Sequence, residues 1–475
     1  MAHRIETYPW PTVRLPRICL CDGHGLCQKN LKKNLACGAQ FVYHGFRFDC
    51  ANRGLQRQRK KSAVSTFLGS LCEMSTTTTA TALSLRQLCD PAVLYRPHAL
   101  AAATQYFHDN FQARLLYAVK TNPDPVILTD LYRAGVRSFD VASLTEAEDL
   151  SRRFPDATLF YMHPVKPRHA IAKAYRDFGV RHFSLDSEAE LRKILEETGH
   201  AKDLSLHVRL AMPNSYSEIT LANKFGVALH DAPALIGLVS QHAAEVGISF
   251  HVGSQCMNPD AYRIAIRMCR TVLDDLPTPP QYFNVGGGFP SIYPGLTPPD
   301  LHLYFDAIHE AFSHLPNHEN MTLLAEPGRA LVAESGSVLV RVDMRRGDTL
   351  YINDGTYGSL FDAGQLGFVF PTRLHRSSLR VPKAEHAFRF YGPTCDSMDV
   401  MQGPFMVPDD VQEGDYIEIG QLGAYGCTMA TKFNGFTQDP VLYTVSDDPL
   451  LSLYPAFTKP QEQLRKPLAF TGKKW

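Results

Sequence analysis

The sequence predicts an α/β fold: a (β/α)8 barrel followed by a β-rich C-terminal domain. Three observations carry this. Eight short β-rich runs alternate with helical stretches between residues 114 and 325; such alternation implies a parallel sheet, and eight units close into a barrel. After about residue 338 the texture changes to β-rich runs separated by Gly, Pro and Asp turns, with few long helical periods. The composition, 44% hydrophobic and 20% charged over 475 residues, supplies core material for more than one domain.

The eight barrel runs are Arg114–Val119, Arg137–Val141, Thr158–Met162, Arg181–Leu185, Leu204–Arg209, Ile248–Val252, Tyr282–Val285 and Thr322–Ala325. Helix starts fall between them. After the fourth run, Ser187-Glu188-Ala189-Glu190 reads as a capping box, in which hydroxyl and carboxylate satisfy two free N–H groups. The barrel is expected to span 85–338, and its first residues (85–110) could lend a strand to the β-rich domain. That second domain, 339–475, is expected to use Thr349–Ile352, Ala387–Tyr391, Tyr416–Ile419 and Leu442–Val445 as strands.

The first residues read differently. Residues 1–73 carry 12 Lys and Arg against 4 Asp and Glu, while the remaining 402 carry 36 against 44. Neither a helical nor a strand period persists there. Pro9, Pro11, Arg14, Pro16 and Arg17 interrupt any apolar stretch of a secretory signal. Cys19, Cys21, His24 and Cys27 do not have a standard zinc spacing, so no metal site is expected. Residues 1–74 are expected to be a disordered or non-native extension, with Met74 a possible natural start. Over the whole chain the net charge is +0, which advertises no nucleic acid or anionic lipid, and no run of about 18 apolar residues suggests a membrane span. The scattered cysteines after residue 73 suit a reducing, cytoplasmic setting.

Polar residues gather at the C-terminal ends of the barrel strands, where barrel active sites lie. In strand order they are Lys120, Asp140, His163, Arg209, His251 with Ser254, the triplet Gly286-Gly287-Gly288, and Glu326-Pro327-Gly328-Arg329. A lone lysine is usually solvated, a lone histidine usually a satisfied core residue, and one glycine triplet usually a turn. Seven in register at one face ask for a common explanation. Three glycines expose backbone N–H groups that can cradle a phosphate. A lysine among apolar neighbours can lose its proton and capture an aldehyde. Glu326 can hold a ring nitrogen protonated, and His251 can stack on a flat ring. Together these describe pyridoxal 5'-phosphate.

The blocks YAVKTNP (117–123), FDVAS (139–143), FSLDSEAEL (183–191), KFG (224–226), HVGSQ (251–255), GGGFP (286–290), EPGR (326–329), NDGTYGS (353–359), GPTCDSMD (392–399), GAYG (423–426) and FNGF (433–436) occur in order. Over about residues 85–440 the chain thereby resembles the fold-type III pyridoxal-phosphate decarboxylases, the ornithine, diaminopimelate and arginine decarboxylase group. The resemblance implies roles. Lys120 would hold the cofactor covalently, Glu326 would face the pyridine nitrogen, and His251 would stack on the ring. Ser254, Gly286, Gly287, Gly288, Gly328, Arg329 and Tyr425 would hold the phosphate end, with Asp140 and Arg209 in support. Cys395 would return a proton after carbon dioxide leaves, and Asp396 would bind the substrate's distal amine, both across a homodimer. Tyr357 would line the substrate site.

Cys395-Asp396-Ser397 is closer to ornithine enzymes than to the Glu-Ser of diaminopimelate enzymes. The expected reaction is therefore L-ornithine to putrescine, with L-lysine to cadaverine as a second possibility and diaminopimelate as the alternative. One departure stands out: eukaryotic ornithine enzymes carry a Tyr-Asp pair where this chain reads Gln365-Leu366-Gly367. Asp362 is the nearest acid and the expected substitute. Two other classes are weighed. A partner-binding relative without catalysis would have lost Lys120 or Cys395. A racemase of the alanine type would place a cation, not Glu326, at the ring nitrogen.

Overall fold

The computed structural model describes residues 90–458 apart from 213–215, 220–223, 377–382 and 437–440. The expected extension 1–74, with its cysteine and histidine cluster, lies outside the described residues. A first strand, β1 (Ala92–Tyr95), precedes the barrel. The barrel strands are β2 (Arg114–Ala118), β3 (Ser138–Val141), β4 (Thr158–Tyr161), β5 (His182–Leu185) and β6 (Ser205–Arg209). A short β7 (Ser217–Ile219) intervenes before β8 (Glu245–Ser249), and β9 (Ser254–Cys256) before β10 (Tyr282–Asn284) and β11 (Thr322–Ala325). β2, β3, β4, β5, β6, β8, β10 and β11 pair in parallel and close, with β11 returning to β2 at Leu324–Arg114 and Ala325–Leu115. β7 and β9 form a separate antiparallel pair.

All eight barrel strands stand where the sequence pattern places them, but the sixth begins earlier than expected, at Glu245 and not Ile248. The strand takes in Gly247, paired with Tyr282 and His207, where a Cβ would lie 2.2 Å from Nδ1 of the buried His207 ring. The glycine makes room for a neighbouring side chain and remains in the strand. Consequently His251 lies in the loop after the strand, and Ser254 in β9. The expected capping box is also half formed. Ser187 Oγ accepts from Glu190 N at the start of the helix Glu188–Glu197. The Glu190 carboxylate instead receives the Lys166 amide at 3.1 Å and the buried Lys166 ammonium at 3.0 Å.

The remaining strands are β12 (Gly336–Arg346), β13 (Thr349–Ile352), β14 (Thr372–His375), β15 (Glu385–Tyr391), β16 (Val400–Pro408), β17 (Tyr416–Ile419) and β18 (Val441–Thr444). They form one sheet in the order β14-β17-β12-β13-β15-β16, with β1 added on β12 and β18 on β1. Residues before the barrel thus supply a strand to the β-rich part. Val338, Val340 and Val342, two apart on β12, turn one face into a core with Leu350, Phe388, Phe390, Phe405 and Ile417. Arg96 ties β1 to this sheet: fully buried, it donates to Glu418 Oε1 at 2.7 Å and Ser337 Oγ at 2.6 Å.

Two contacts bring the β-rich part to the barrel mouth. Asn122 Nδ2 donates to the Gly423 carbonyl at 2.8 Å, and the Tyr425 amide donates to the Thr121 carbonyl at 3.0 Å. Both start from the turn that carries Lys120. Among the described residues no helix is long and apolar enough to cross a membrane, and no cluster of His, Cys, Asp and Glu could hold a metal.

Candidate active site

A cavity of about 270 Å³ opens at the C-terminal ends of the barrel strands, lined by Lys120, His251, Ser254, Gly287, Gly288, Glu326, Gly328, Arg329, Asp362 and Tyr425. Lys120 sits in a short 3-10 turn after β2, its side chain 46% exposed into the opening. Its ammonium is 3.0 Å from Asp140 Oδ2, at the next strand's end. Enclosure by itself favours the neutral amine, but Asp140, Tyr425 and Glu326 outweigh it and hold the proton on.

Glu326 follows β11 and accepts from Asn284 Nδ2 at 2.8 Å. Burial, and then the Asp140 charge, push its carboxyl up to about 7, against the opposing pull of Lys120 and Arg209. Asn284, the last residue of β10, also accepts from the Gly286 amide at 2.8 Å, so one side chain sets both the glycine loop and the carboxylate. Sequence reasoning misses Asn284, although it stands two residues before the triplet. His251 accepts at Nδ1 from the Gly253 amide at 2.9 Å, and burial followed by the Arg209 and Lys120 charges keeps its ring neutral. Arg209 lies beside the site, with its guanidinium 5.5 Å from the Phe225 ring centroid.

The glycine triplet is constrained by space. A Cβ on Gly287 would lie 2.6 Å from the Glu326 carbonyl and 3.2 Å from His251 Nε2. Gly286 and Gly288 adopt φ of +68° and +108°. Arg329 is buried, donating through Nη1 to the Tyr293 hydroxyl at 2.8 Å and through Nη2 to Asp362 Oδ2 at 3.1 Å. Its guanidinium lies 4.8 Å from the Tyr425 ring centroid. Asp362, expected at the substrate's distal amine, therefore has Arg329 as its partner here. His163 does not line the cavity; its ring is 5.2 Å from Phe225.

Cys395, Asp396 and Tyr357 form a second cluster, and none of them lines the Lys120 cavity. The Tyr357 hydroxyl donates to Asp396 Oδ2, and the Met398 amide donates to Asp396 Oδ1 at 3.0 Å. The first of these, then the second, holds the Asp396 carboxyl below its ordinary range. Cys395 is exposed; its thiol and its amide both approach Asn434 Oδ1, at 3.2 and 3.3 Å. Phe433 packs on Tyr357 with centroids 4.7 Å apart. Asp399 binds the cluster's backbone, accepting from Thr356 N at 2.8 Å and Thr394 N at 3.0 Å.

Comparison with known proteins gives this geometry a family. Residues 98–333 match the pyridoxal binding domain of the pyridoxal-dependent decarboxylases. A lysine/ornithine decarboxylase of Selenomonas ruminantium is 30% identical over 363 residues, spanning 72% of this chain and 88% of the relative. The chain belongs to the pyridoxal-dependent decarboxylases. An ornithine decarboxylase of Panagrellus redivivus is 32% identical over 378 residues, 71% of this chain and 81% of the relative. An antizyme inhibitor 2 of Xenopus laevis is 28% identical over 359 residues, 69% of this chain and 75% of the relative. Among solved structures, the arginine decarboxylase of Paramecium bursaria Chlorella virus, bound to agmatine, superposes with a TM-score of 0.67. It is 27% identical, covering 75% of this chain and 97% of that one.

The decarboxylase takes pyridoxal phosphate as cofactor, and its residues fit that group. The cavity combines an amine, an acid raised by burial, a neutral imidazole and a glycine backbone with no side chain in the way. Arg329 Nε–H, at the cavity wall, is buried without a hydrogen-bond partner among the described residues. A buried donor left in this way is costly unless an acceptor arrives, and a phosphate oxygen is one.

Proposed function

We propose that the chain decarboxylates L-ornithine to putrescine, with L-lysine giving cadaverine as a second reaction. The observation that carries this is Asp396. Its carboxylate is kept anionic by the Tyr357 hydroxyl and the Met398 amide. A substrate whose far end is an ammonium needs such an anion, whereas diaminopimelate also needs a cation for its distal carboxylate. Residues 392–402 contain no Lys or Arg.

Bound pyridoxal phosphate supplies an electron sink for the pair left on the α-carbon when carbon dioxide departs. Lys120 would hold the cofactor through its aldehyde carbon, with Asp140, 3.0 Å from the Lys120 amine, orienting it. Glu326, held by Asn284, would accept a hydrogen bond from the protonated ring nitrogen, keep that proton in place and so strengthen the sink. The neutral His251 ring would stack on the pyridine without adding charge. Gly286–Gly288, Ser254, Gly328, Arg329 and Tyr425 would hold the phosphate end. Cys395 returns a proton to the α-carbon, which requires its thiol to come within hydrogen-bond reach of that carbon.

Within one chain Cys395 and Asp396 do not line the Lys120 cavity, which supports a two-fold dimer in which each chain's second cluster closes its partner's barrel. Met398, Phe433 and Phe436 beside that cluster are 58%, 41% and 48% exposed, an apolar surface suited to such an interface. Similarity to an antizyme inhibitor raises a partner-binding reading; the complete set from Lys120 to Cys395 supports catalysis instead. The test is carbon dioxide release from ornithine, lysine, arginine and meso-diaminopimelate by the purified enzyme. Ornithine is expected to turn over fastest. Turnover of diaminopimelate alone would make the reading wrong.

A further inference from the structure

Asp362 is a buried carboxylate, 6% exposed, on the short helix Phe361–Gln365. It borders the same cavity as Lys120 and the glycine loop, and its Oδ2 accepts from Arg329 Nη2 at 3.1 Å. Arg329, 4% exposed, is boxed by aromatic rings: Tyr425, Phe368 and Tyr293 lie 4.8, 5.4 and 5.8 Å from its guanidinium carbon. The cation is thus held where a phosphate would meet it, already neutralised by an internal anion.

Two anions facing one cation in a poorly hydrated wall repel each other, and the attraction each feels is reduced by the other. We propose that Asp362 is a positioning residue that acts as the resident counter-ion of Arg329, standing in for the cofactor phosphate when the cofactor is away and weakening its hold when it is present. This rests on Arg329 belonging to the phosphate end, as proposed above. It also gives the carboxylate a task other than contact with the substrate's distal amine. The fold keeps a buried arginine paired at all times, and the cofactor is thereby exchangeable.

The test uses the full chain freed of cofactor by hydroxylamine and dialysis, titrated calorimetrically with inorganic phosphate and, separately, with pyridoxal phosphate. Asp362→Asn keeps an acceptor for Arg329 Nη2 and removes the charge. The variant is expected to bind inorganic phosphate roughly tenfold or more tightly than the parent, while its cofactor-free form melts at a lower temperature. The same direction is expected for pyridoxal phosphate, and no gain for unphosphorylated pyridoxal. Phosphate affinity unchanged or weakened in the folded variant overturns the assignment while leaving the cofactor site intact. A parent protein that binds neither phosphate nor pyridoxal phosphate overturns the site reading as well. If Asp362→Asn does not fold without cofactor, refolding in inorganic phosphate is expected to rescue it. Failure of that rescue also overturns the assignment, because the added anion would not be replacing the missing one.

Discussion

Removing the charge of Glu326 isolates the contribution of one buried acid to folding. Its carboxyl is pushed up to about 7 by burial and by Asp140, against roughly 4.3 in an unfolded chain. The sign follows from that direction. Below about pH 4.3 the group is protonated in both states and costs nothing; above about pH 7 it is ionised in both, and the folded state bears the full penalty. A shift of that size corresponds to about 4 kcal/mol, of which roughly 2 kcal/mol accumulate between pH 5.5 and 8. Glu326→Gln keeps an oxygen for the Asn284 amide and abolishes the titration. Urea unfolding of the cofactor-free protein is then compared at the two pH values. Other buried acids titrate as well, among them Glu334, raised to about 7, and Asp354, raised to about 6. They are common to parent and variant, so their contribution cancels in the difference between the two proteins. The variant is expected to gain about 2 kcal/mol relative to the parent on going from pH 5.5 to 8. An equal difference at both pH values would refute the reasoning, because Glu326 would then not be a raised acid in the folded chain.

Three further outcomes are expected. Borohydride added to the pyridoxal-phosphate-loaded enzyme should fix the label on the peptide containing Lys120, and mass mapping to another lysine would displace Lys120 from its role. Mixing Lys120→Ala with Cys395→Ala chains, each nearly inactive alone, should restore roughly a quarter of parental activity: half the dimers are mixed, and each has one intact site. No recovery despite proven mixed dimers would mean that Cys395 serves its own barrel or has no catalytic part. Gly287→Ala would place a methyl 2.6 Å from the Glu326 carbonyl. It is expected to cost about 1–3 kcal/mol in stability and to weaken pyridoxal phosphate binding, both read by melting with and without the cofactor.

The barrel is legible in the sequence because its signals are local. Arg114–Ala118 or His182–Leu185 announces a buried strand within four or five residues, and Ser187 announces the next helix start. Strand ends are equally local, so the strand pattern alone aligns Lys120, Glu326 and the glycine triplet on one face. Sequence patterns mislead where a distant residue decides. The sixth strand takes in Gly247, whose missing side chain leaves room for the His207 ring 40 positions earlier, and Glu190 turns from its cap to a buried lysine 24 residues away. Asn284 escapes the pattern because its partner, Glu326, is 42 positions further on.

By itself the sequence determined the strand-and-helix alternation, the β-rich end and the identities of the residues at the barrel mouth, since periodicity and motif spacing depend on neighbours along the chain. Only the tertiary structure decided the pairings: Asp362 with Arg329, Tyr357 with Asp396, Cys395 with Asn434, and the second cluster apart from the Lys120 cavity. These join residues 33 to 39 positions apart. Which carboxylate meets which cation is set by how packed surfaces bury and orient them, and burial is a property of the assembled fold that no single stretch of chain contains.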